Sequence, residues 1–207
     1  MPRLLQSQRE LLELAVTNYE THLTEVMPYL KSRGITEETA RTFRLGYVKH
    51  PELGHEQFAN RIAIPYITPT GIVDIRFRSA DATDTGPKYL SRPGAPTHIY
   101  NVKALGEDTD TLVVCEGEFD TIIATQARLN AVGLPGANNW KSFFVRLMSD
   151  FTRVVVLIDG DNAGREMGKH LAREVDNCVV VPMPDGMDVN DVYLQEGAEG
   201  LHKRVGT

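Results

Sequence analysis

Apolar residues at Leu4, Leu5, Leu11, Leu12, Ala15, Tyr19 and Leu23 recur at helical spacing, so residues 4–32 are predicted to form one or two amphipathic helices. In "SRGITEETARTF", Gly34 can end that helical segment, and Thr36, followed by Glu37 and Glu38, is a cap for a short helix ending near Phe43. The period then drops to two. "RIAIPYITPTGIVDIRFRSAD" puts Ile62, Ile64 and Tyr66 on one face, with a Thr-Pro-Thr-Gly turn before Ile72 and Asp74, and predicts a β-hairpin. Residues 80–101 are polar and rich in Gly and Pro, the composition of a long surface loop able to hold a substrate.

From residue 109 the apolar runs TLVVCEG, LNAVGLP, RVVVLID and NCVVVPMP alternate with the amphipathic segments FDTIIATQAR, NNWKSFFVRLMSD and NAGREMGKHLAREV. Near-continuous apolar strands separated by helices predict a parallel sheet covered on both faces. The fold class is therefore α/β. An N-terminal α+β subdomain over residues 1–108 precedes a four-stranded parallel sheet with helices on both faces over 109–197, and residues 198–207 form a C-terminal tail. No internal repeat or low-complexity tract interrupts this plan.

Composition narrows the picture. At 207 residues and 42% hydrophobic content the chain can bury a sizeable core. No apolar run approaches the roughly 18 residues of a membrane span, and "MPRLLQSQRELLEL" lacks the apolar block of a secretory signal, so a cytoplasmic location without membrane association is expected. Cys115 and Cys178 sit inside apolar runs and read as buried strand residues, with no zinc-ligand cluster; the six histidines show no ligand spacing either. The net charge of −6 is unevenly placed. Residues 1–105 carry 13 Lys/Arg against 11 Asp/Glu, and residues 106–207 carry 9 against 17.

In an open parallel sheet, ligands gather beyond the carboxyl ends of the strands, and this chain collects acids there. Glu116, Glu118 and Asp120 follow the first run, Asp159 and Asp161 the third, and Asp185, Asp188 and Asp191 the fourth. Side chains two apart in an extended segment point the same way, so Asp159 and Asp161 can face one site, with Gly160 keeping the space between them open. Oxygen-only donors favour a hard ion, Mg²⁺ or Mn²⁺, which would relieve the repulsion between the aspartates. An EF-hand loop beginning at Asp159 fails, because Ala163 and His170 fall where oxygen ligands are required. A haloacid-dehalogenase-type phosphatase would want a threonine at Ala163. Acidic helix caps remain an adequate reading of any single exit. "GLPGANNW", residues 133–140, could direct backbone N–H groups at a phosphate from a helix opening at Asn138, or could simply be a tight turn.

"VVCEGEFDTIIATQA", with its Glu-Gly-x-x-Asp core, "VVVLIDGDNAGREMGKHLA", with Asp-x-Asp-x-Ala-Gly, and "DGMDVNDVYLQEG" together resemble the Toprim domain of bacterial DnaG-type primases. Upstream, "YLKSRGITEETARTFRLGYV", "NRIAIPYITPTGIVDIRFRS" and "GPKYLSRPG" resemble successive segments of the primase catalytic core, extending the likeness over about residues 28–197. The resemblance implies a Toprim-type sheet and a compact, phage- or plasmid-type core. It makes Glu116, Asp159 and Asp161 catalytic and Glu116, Asp120, Asp159, Asp161 and Asp188 metal ligands, and it sets Arg33, Arg76, Arg78 and Lys88 beside nucleotide or DNA. Asn190 stands where many relatives have a further acid, and Glu118 where an aromatic residue is frequent. The family's zinc ribbon and helicase-binding domain are not expected within this chain, and its helical subdomain is expected to be missing or reduced to the last dozen residues.

The activity so implied is that of a nucleotidyltransferase: Mg²⁺- or Mn²⁺-dependent synthesis of short RNA primers from ribonucleoside triphosphates on single-stranded DNA. A helicase or a separate zinc-ribbon protein would be a partner. With an excess of only two positive charges in the first half, DNA binding is expected to be weak and salt-sensitive. A Toprim-family nuclease and a non-catalytic DNA-binding or recombination module are the alternatives; a topoisomerase would need a tyrosine-bearing domain for which the chain has no room.

Overall fold

The computed structural model describes residues 4–81, 83–134 and 141–207. The chain divides into two compact units, Met1–Thr97 and His98–Thr207.

In the first unit, the leading apolar stripe becomes helix α1 (Gln6–Glu20), which buries Leu12, Ala15, Val16 and Tyr19. Helix α2 (Leu23–Ser32) buries Leu23, Val26, Met27 and Leu30. Gly34, at φ 76°, ends it, and the Ile35 N–H donates back to the Leu30 carbonyl at 2.9 Å, satisfying one of the carbonyls a helix end leaves open. Thr36 caps α3 (Glu37–Thr42) by accepting from the Thr39 N–H at 3.1 Å. Strands β1 (Gly46–Tyr47), β2 (Arg61–Thr68), β3 (Gly71–Ser79) and β4 (Tyr89–Leu90) form an antiparallel sheet in that order. The predicted hairpin is β2–β3, turning at Gly71 with φ 107°. Its core stacks Phe58 on Phe77, centroids 4.0 Å apart and 7° from parallel, under Ala15, Val16 and Tyr19 of α1.

Two features depart from the sequence expectation. All of Arg61–Tyr66 is buried, not one face alone, because Ala63 joins the core under α1 while the Arg61 guanidinium is covered by the segment after β3. That guanidinium donates to Asp84 Oδ2 and to the Pro87 carbonyl, both at 2.8 Å. The segment expected as surface loop also contains β4, with Leu90 opposite Phe77 and Tyr89 opposite Arg78.

The second unit opens with Ile99 and Ala104 in its core, the Tyr100 N–H donating to the Gly133 carbonyl at 2.9 Å, and a 3₁₀ turn at Val102–Gly106. These contacts explain why the division between the units falls at Thr97–His98. Four parallel strands follow: β5 (Thr111–Cys115), β6 (Ala131–Gly133), β7 (Arg153–Ile158) and β8 (Cys178–Pro182), in the order β6-β5-β7-β8. Helices α4 (Glu118–Gln126), α5 (Phe144–Met148), α6 (Asn162–Glu174) and α7 (Val189–Val205) flank the sheet. Alternation along the strands divides the side chains between two faces. Leu112, Val114, Val132, Val154, Val156 and Ile158 meet Phe144 and Met148 of α5 and Met167 and Leu171 of α6. The helix read over residues 138–150 is the five-residue α5 among the described residues, and residues 135–140 of "GLPGANNW" lie outside them.

Residues 198–207, read as a tail, largely continue α7, which is kinked at Gly197 (φ 70°) and buries Leu201 and Val205 completely. Among the described residues no helix is long and apolar enough to cross a membrane. Gly168 lets α6 approach the sheet: a Cβ there would stand 2.7 Å from Val180 Cγ1 and 3.0 Å from Ile158 Cδ1. Gly168→Ala is therefore expected to cost about 1–3 kcal/mol in urea denaturation. Gly106→Ala, where a Cβ meets nothing within 4 Å, should be neutral or slightly stabilising by the same measurement.

Candidate metal centre

The carboxyl ends of β5, β7 and β8 each deliver acids to one end of the sheet, and the loops behind them are tied by backbone contacts. The Gly160 N–H donates to the Met187 carbonyl and the Gly186 N–H to the Gly160 carbonyl, each at 2.9 Å, joining the β7 exit to the loop that carries Asp188. A Cβ at position 160 would lie 1.9 Å from the Pro184 carbonyl oxygen. Gly160 thus does not hold space open between the aspartates; the adjoining loop fills it.

Across the β5–β7 gap, the Asp159 N–H donates to Glu116 Oε1 at 2.8 Å. That carboxylate packs onto the first turn of α6, where a Cβ on Gly164 would come within 2.6 Å of the same oxygen and 2.5 Å of the Asp159 carbonyl. A larger residue at Gly164 would push the two acids apart. Asp120, in the first turn of α4, lies over Gly117 in the same way, and its Oδ1 accepts from the Asn190 N–H at 3.3 Å, connecting α4 to α7.

The other acids all act on Asp159. Burial, then the charges of Asp120, Glu116, Asp188 and Asp161, push its carboxyl up to about 8. Burial also raises Glu116, opposed by the Asp159 N–H and reinforced by Asp161. Beneath them the buried Cys115 thiol is raised well above its ordinary range, first by burial and then by Asp120, Asp159 and Glu116, so it is protonated and inert. Asp159 Oδ1 is a buried oxygen with no hydrogen-bond partner among the described residues. Such an atom costs free energy unless a proton or a cation meets it.

Asp161 and Asp188 also do structural work. Asp161 caps α6, its Oδ1 accepting from the Gly164 N–H at 2.8 Å. Asp188 and Asp191 form a reciprocal capping box at the start of α7, with N–H to carboxylate distances of 2.7 and 3.1 Å. The capping reading of these exits and the electrostatic one hold together, since both aspartates act on Asp159 as well.

Among the described residues no three His, Cys, Asp or Glu side chains are gathered closely enough to enclose an ion unaided. The donor set and the orphaned Asp159 oxygen fit a hard divalent cation that keeps waters or substrate oxygens in its shell, as Mg²⁺ does. Glu116, Asp120, Asp159, Asp161 and Asp188 are the residues that could hold it.

The basic residues singled out by the sequence lie in the first unit. Arg78 is only 3% exposed. Its guanidinium donates to the Tyr29 hydroxyl at 3.0 and 3.2 Å and to the Tyr89 hydroxyl, and lies 5.0 Å from the centre of the Tyr89 ring. Arg76, two residues earlier on the same strand and partly buried, stacks over Tyr89 at 4.5 Å. Lys88 is exposed beside Tyr89, its carbonyl accepting from the Ser79 N–H at 2.9 Å, and Arg33 follows the last turn of α2. Tyr29 and Tyr89 are partners that charge-based reading missed. The signal for Tyr89 was its place next to Lys88 in "GPKYLSRPG"; Tyr29, 49 residues from Arg78, left none.

A family model described as Toprim-like matches residues 113–193. The chain is 36% identical over 149 residues to the Gene 57 protein of Mycobacterium phage D29, covering 70% of this chain and 97% of that one. It is 27% identical over 210 residues to the DNA primase of Pseudomonas aeruginosa, covering 83% of this chain and 31% of that protein. The chain thus spans about a third of the length of that bacterial primase. Its fold matches the structure of the DnaG primase catalytic domain bound to ssDNA with a TM-score of 0.78 at 22% identity, over 97% of this chain and 81% of the other. With the fold, the acidic exits and these relatives in agreement, the chain belongs to the family of DnaG-type primase catalytic cores, carries a Toprim domain in its second unit, and has a phage protein among its relatives.

Proposed function

We propose that this chain is the catalytic core of a DNA primase, a nucleotidyltransferase that joins ribonucleotides into short RNA primers on single-stranded DNA with the help of Mg²⁺ or Mn²⁺. The observation that carries this reading is a buried Asp159 oxygen without a hydrogen-bond partner, on a carboxyl raised by burial and by the charges of Asp120, Glu116, Asp188 and Asp161. Hard divalent ions held there would neutralise the triphosphate and the charge developing on the attacking and leaving oxygens.

The chain's own residues do the rest. Asp159, Asp161 and Asp188 fix where the ions sit, and Asp120 adds charge from α4. Glu116, whose carboxyl is raised by burial, accepts the proton of the attacking 3′-hydroxyl. In the first unit, Arg76 and Lys88 contact phosphates, with Arg33 as a further cation. Arg78 fixes Tyr29 and Tyr89 and so the surface on which Arg76 lies. The template is single-stranded DNA, in keeping with the ssDNA-bound primase domain that shares the fold. A replicative helicase or a separate zinc-ribbon protein is the expected partner, in a phage or plasmid replication system working in the cytoplasm of its host.

Given template, labelled ribonucleotides and Mg²⁺ or Mn²⁺, the protein should yield short RNA products, and Asp159→Asn should lower the rate by about 10²-fold or more. Shortened DNA instead would indicate a nuclease, and DNA binding with neither product a non-catalytic module. The raised Asp159 carboxyl gives a second expectation, whose sign follows from linkage. The folded state holds a proton that the unfolded chain releases near its ordinary carboxyl range. Without divalent ions, stability should therefore fall as pH rises from about 4 towards 8. Thermal melts in EDTA should show this decline, flattened in Asp159→Asn, and Mn²⁺ should raise the melting temperature more at pH 8 than at pH 6.

A further inference from the structure

One cation at the rim of the acidic group has no task in the reaction as described. Arg165 lies in the first turn of α6, its N–H donating to the Asp161 carbonyl at 3.2 Å. Its guanidinium reaches the β8 exit loop, where Nη1 donates to Asp185 Oδ1 at 3.1 Å. Arg165 comes four residues after Asp161 and Asp185 three before Asp188, so both partners flank the metal-ligand candidates. The loop bearing Asp185 is the one bound to Gly160. The guanidinium therefore stands at the seam between the β7 and β8 exits, at the end of the sheet from which Asp159, Asp161 and Asp188 come.

The pair is poorly suited to be a structural clamp. The Arg165 side chain is 45% exposed and that of Asp185 is 92% exposed, and an ion pair in that much water contributes little and exchanges readily. Electrostatics point the same way. The charges that raise the Asp159 carboxyl are those of Asp120, Glu116, Asp188 and Asp161, so a polyanionic ligand approaching these acids is repelled wherever bound cations do not cover them. A guanidinium at the rim offers what that ligand lacks: a planar fork that matches two phosphate oxygens, whereas in the pair one of its nitrogens holds a single carboxylate oxygen.

We propose that Arg165 binds the triphosphate of the incoming nucleotide, leaving Asp185 for the non-bridging phosphate oxygens, and that Asp185 is the residue on which the guanidinium rests between substrates. This rests on the polymerase reading above and adds a substrate-binding residue to it. Arg165 makes and breaks no covalent bond.

The test uses the full chain, with primer synthesis on single-stranded DNA in Mg²⁺ or Mn²⁺ and calorimetric titration with ATP. Arg165→Gln should raise both the ribonucleotide KM and the ATP Kd about five- to tenfold, leaving kcat and the template KM within about twofold. Arg165→Lys should recover part of the loss. Asp185→Asn should lower the ribonucleotide KM about twofold, and that gain should vanish when Arg165→Gln is also present. If Arg165→Gln and Asp185→Asn shift KM in the same direction and lower the melting temperature alike, the pair is a clamp and the proposal falls. It falls equally if the template KM alone changes, since the guanidinium would then serve the nucleic-acid backbone. A wild-type protein that neither makes primers nor binds ATP overturns the polymerase reading along with it, whereas an active wild type with an unaltered Arg165→Gln variant overturns this inference alone.

Discussion

The Asp159 N–H bonds to Glu116 at 2.8 Å, and four carboxylates act on the Asp159 side chain in a largely buried setting. This crowding of like charge is the constraint that the second unit is built around. It is maintained by backbone geometry that tolerates no side chain at Gly160 and Gly164, where a Cβ would meet the Pro184 carbonyl or the Glu116 carboxylate. The chain gives up conformational economy at two glycines to keep together acids whose like charges repel. Perturbed carboxylates of this kind cluster at sites that handle cations or protons.

The first unit handles charge differently. Arg78 and Arg61 are both buried and hydrogen-bonded: Arg78 to the hydroxyls of Tyr29 in α2 and Tyr89 in β4, Arg61 to Asp84 and the Pro87 carbonyl in the segment after β3. Their chief effect is to fix neighbours. Arg61 restrains the segment that presents Lys88, and Arg78 orients the Tyr89 ring beneath Arg76. Residues that look alike in the sequence thus divide into cations that organise a surface and cations that occupy it.

Much of the second unit was legible because a parallel sheet covered on both faces demands uninterrupted apolar strands, and four such runs stand out in the chain. The acidic exits were legible for the complementary reason, since nothing apolar competes for those positions. What could not be seen depended on partners distant in sequence or on very short elements. β4 has only two residues and is surrounded by Gly and Pro, so no period could reveal it. The burial of Arg78 depends on Tyr29 in another element. The helical end of the chain was disguised by Gly197 and Gly200, although Leu201 and Val205 carry the spacing of a buried face. Gly160 was identified as special for the wrong reason, because the Pro184 carbonyl that requires it comes from a different strand exit.

Asp161 and Asp188 each serve two masters. The carboxylate that would face an ion also holds the first turn of a helix, through Gly164 in α6 and through Asp191 in α7. Replacing either with alanine would conflate lost chemistry with a frayed helix start. Asparagine or serine could still anchor the turn while surrendering the charge. Substitutions tolerated by the fold at these two positions would accordingly be small polar residues, which keep the helix starts and remove the charge.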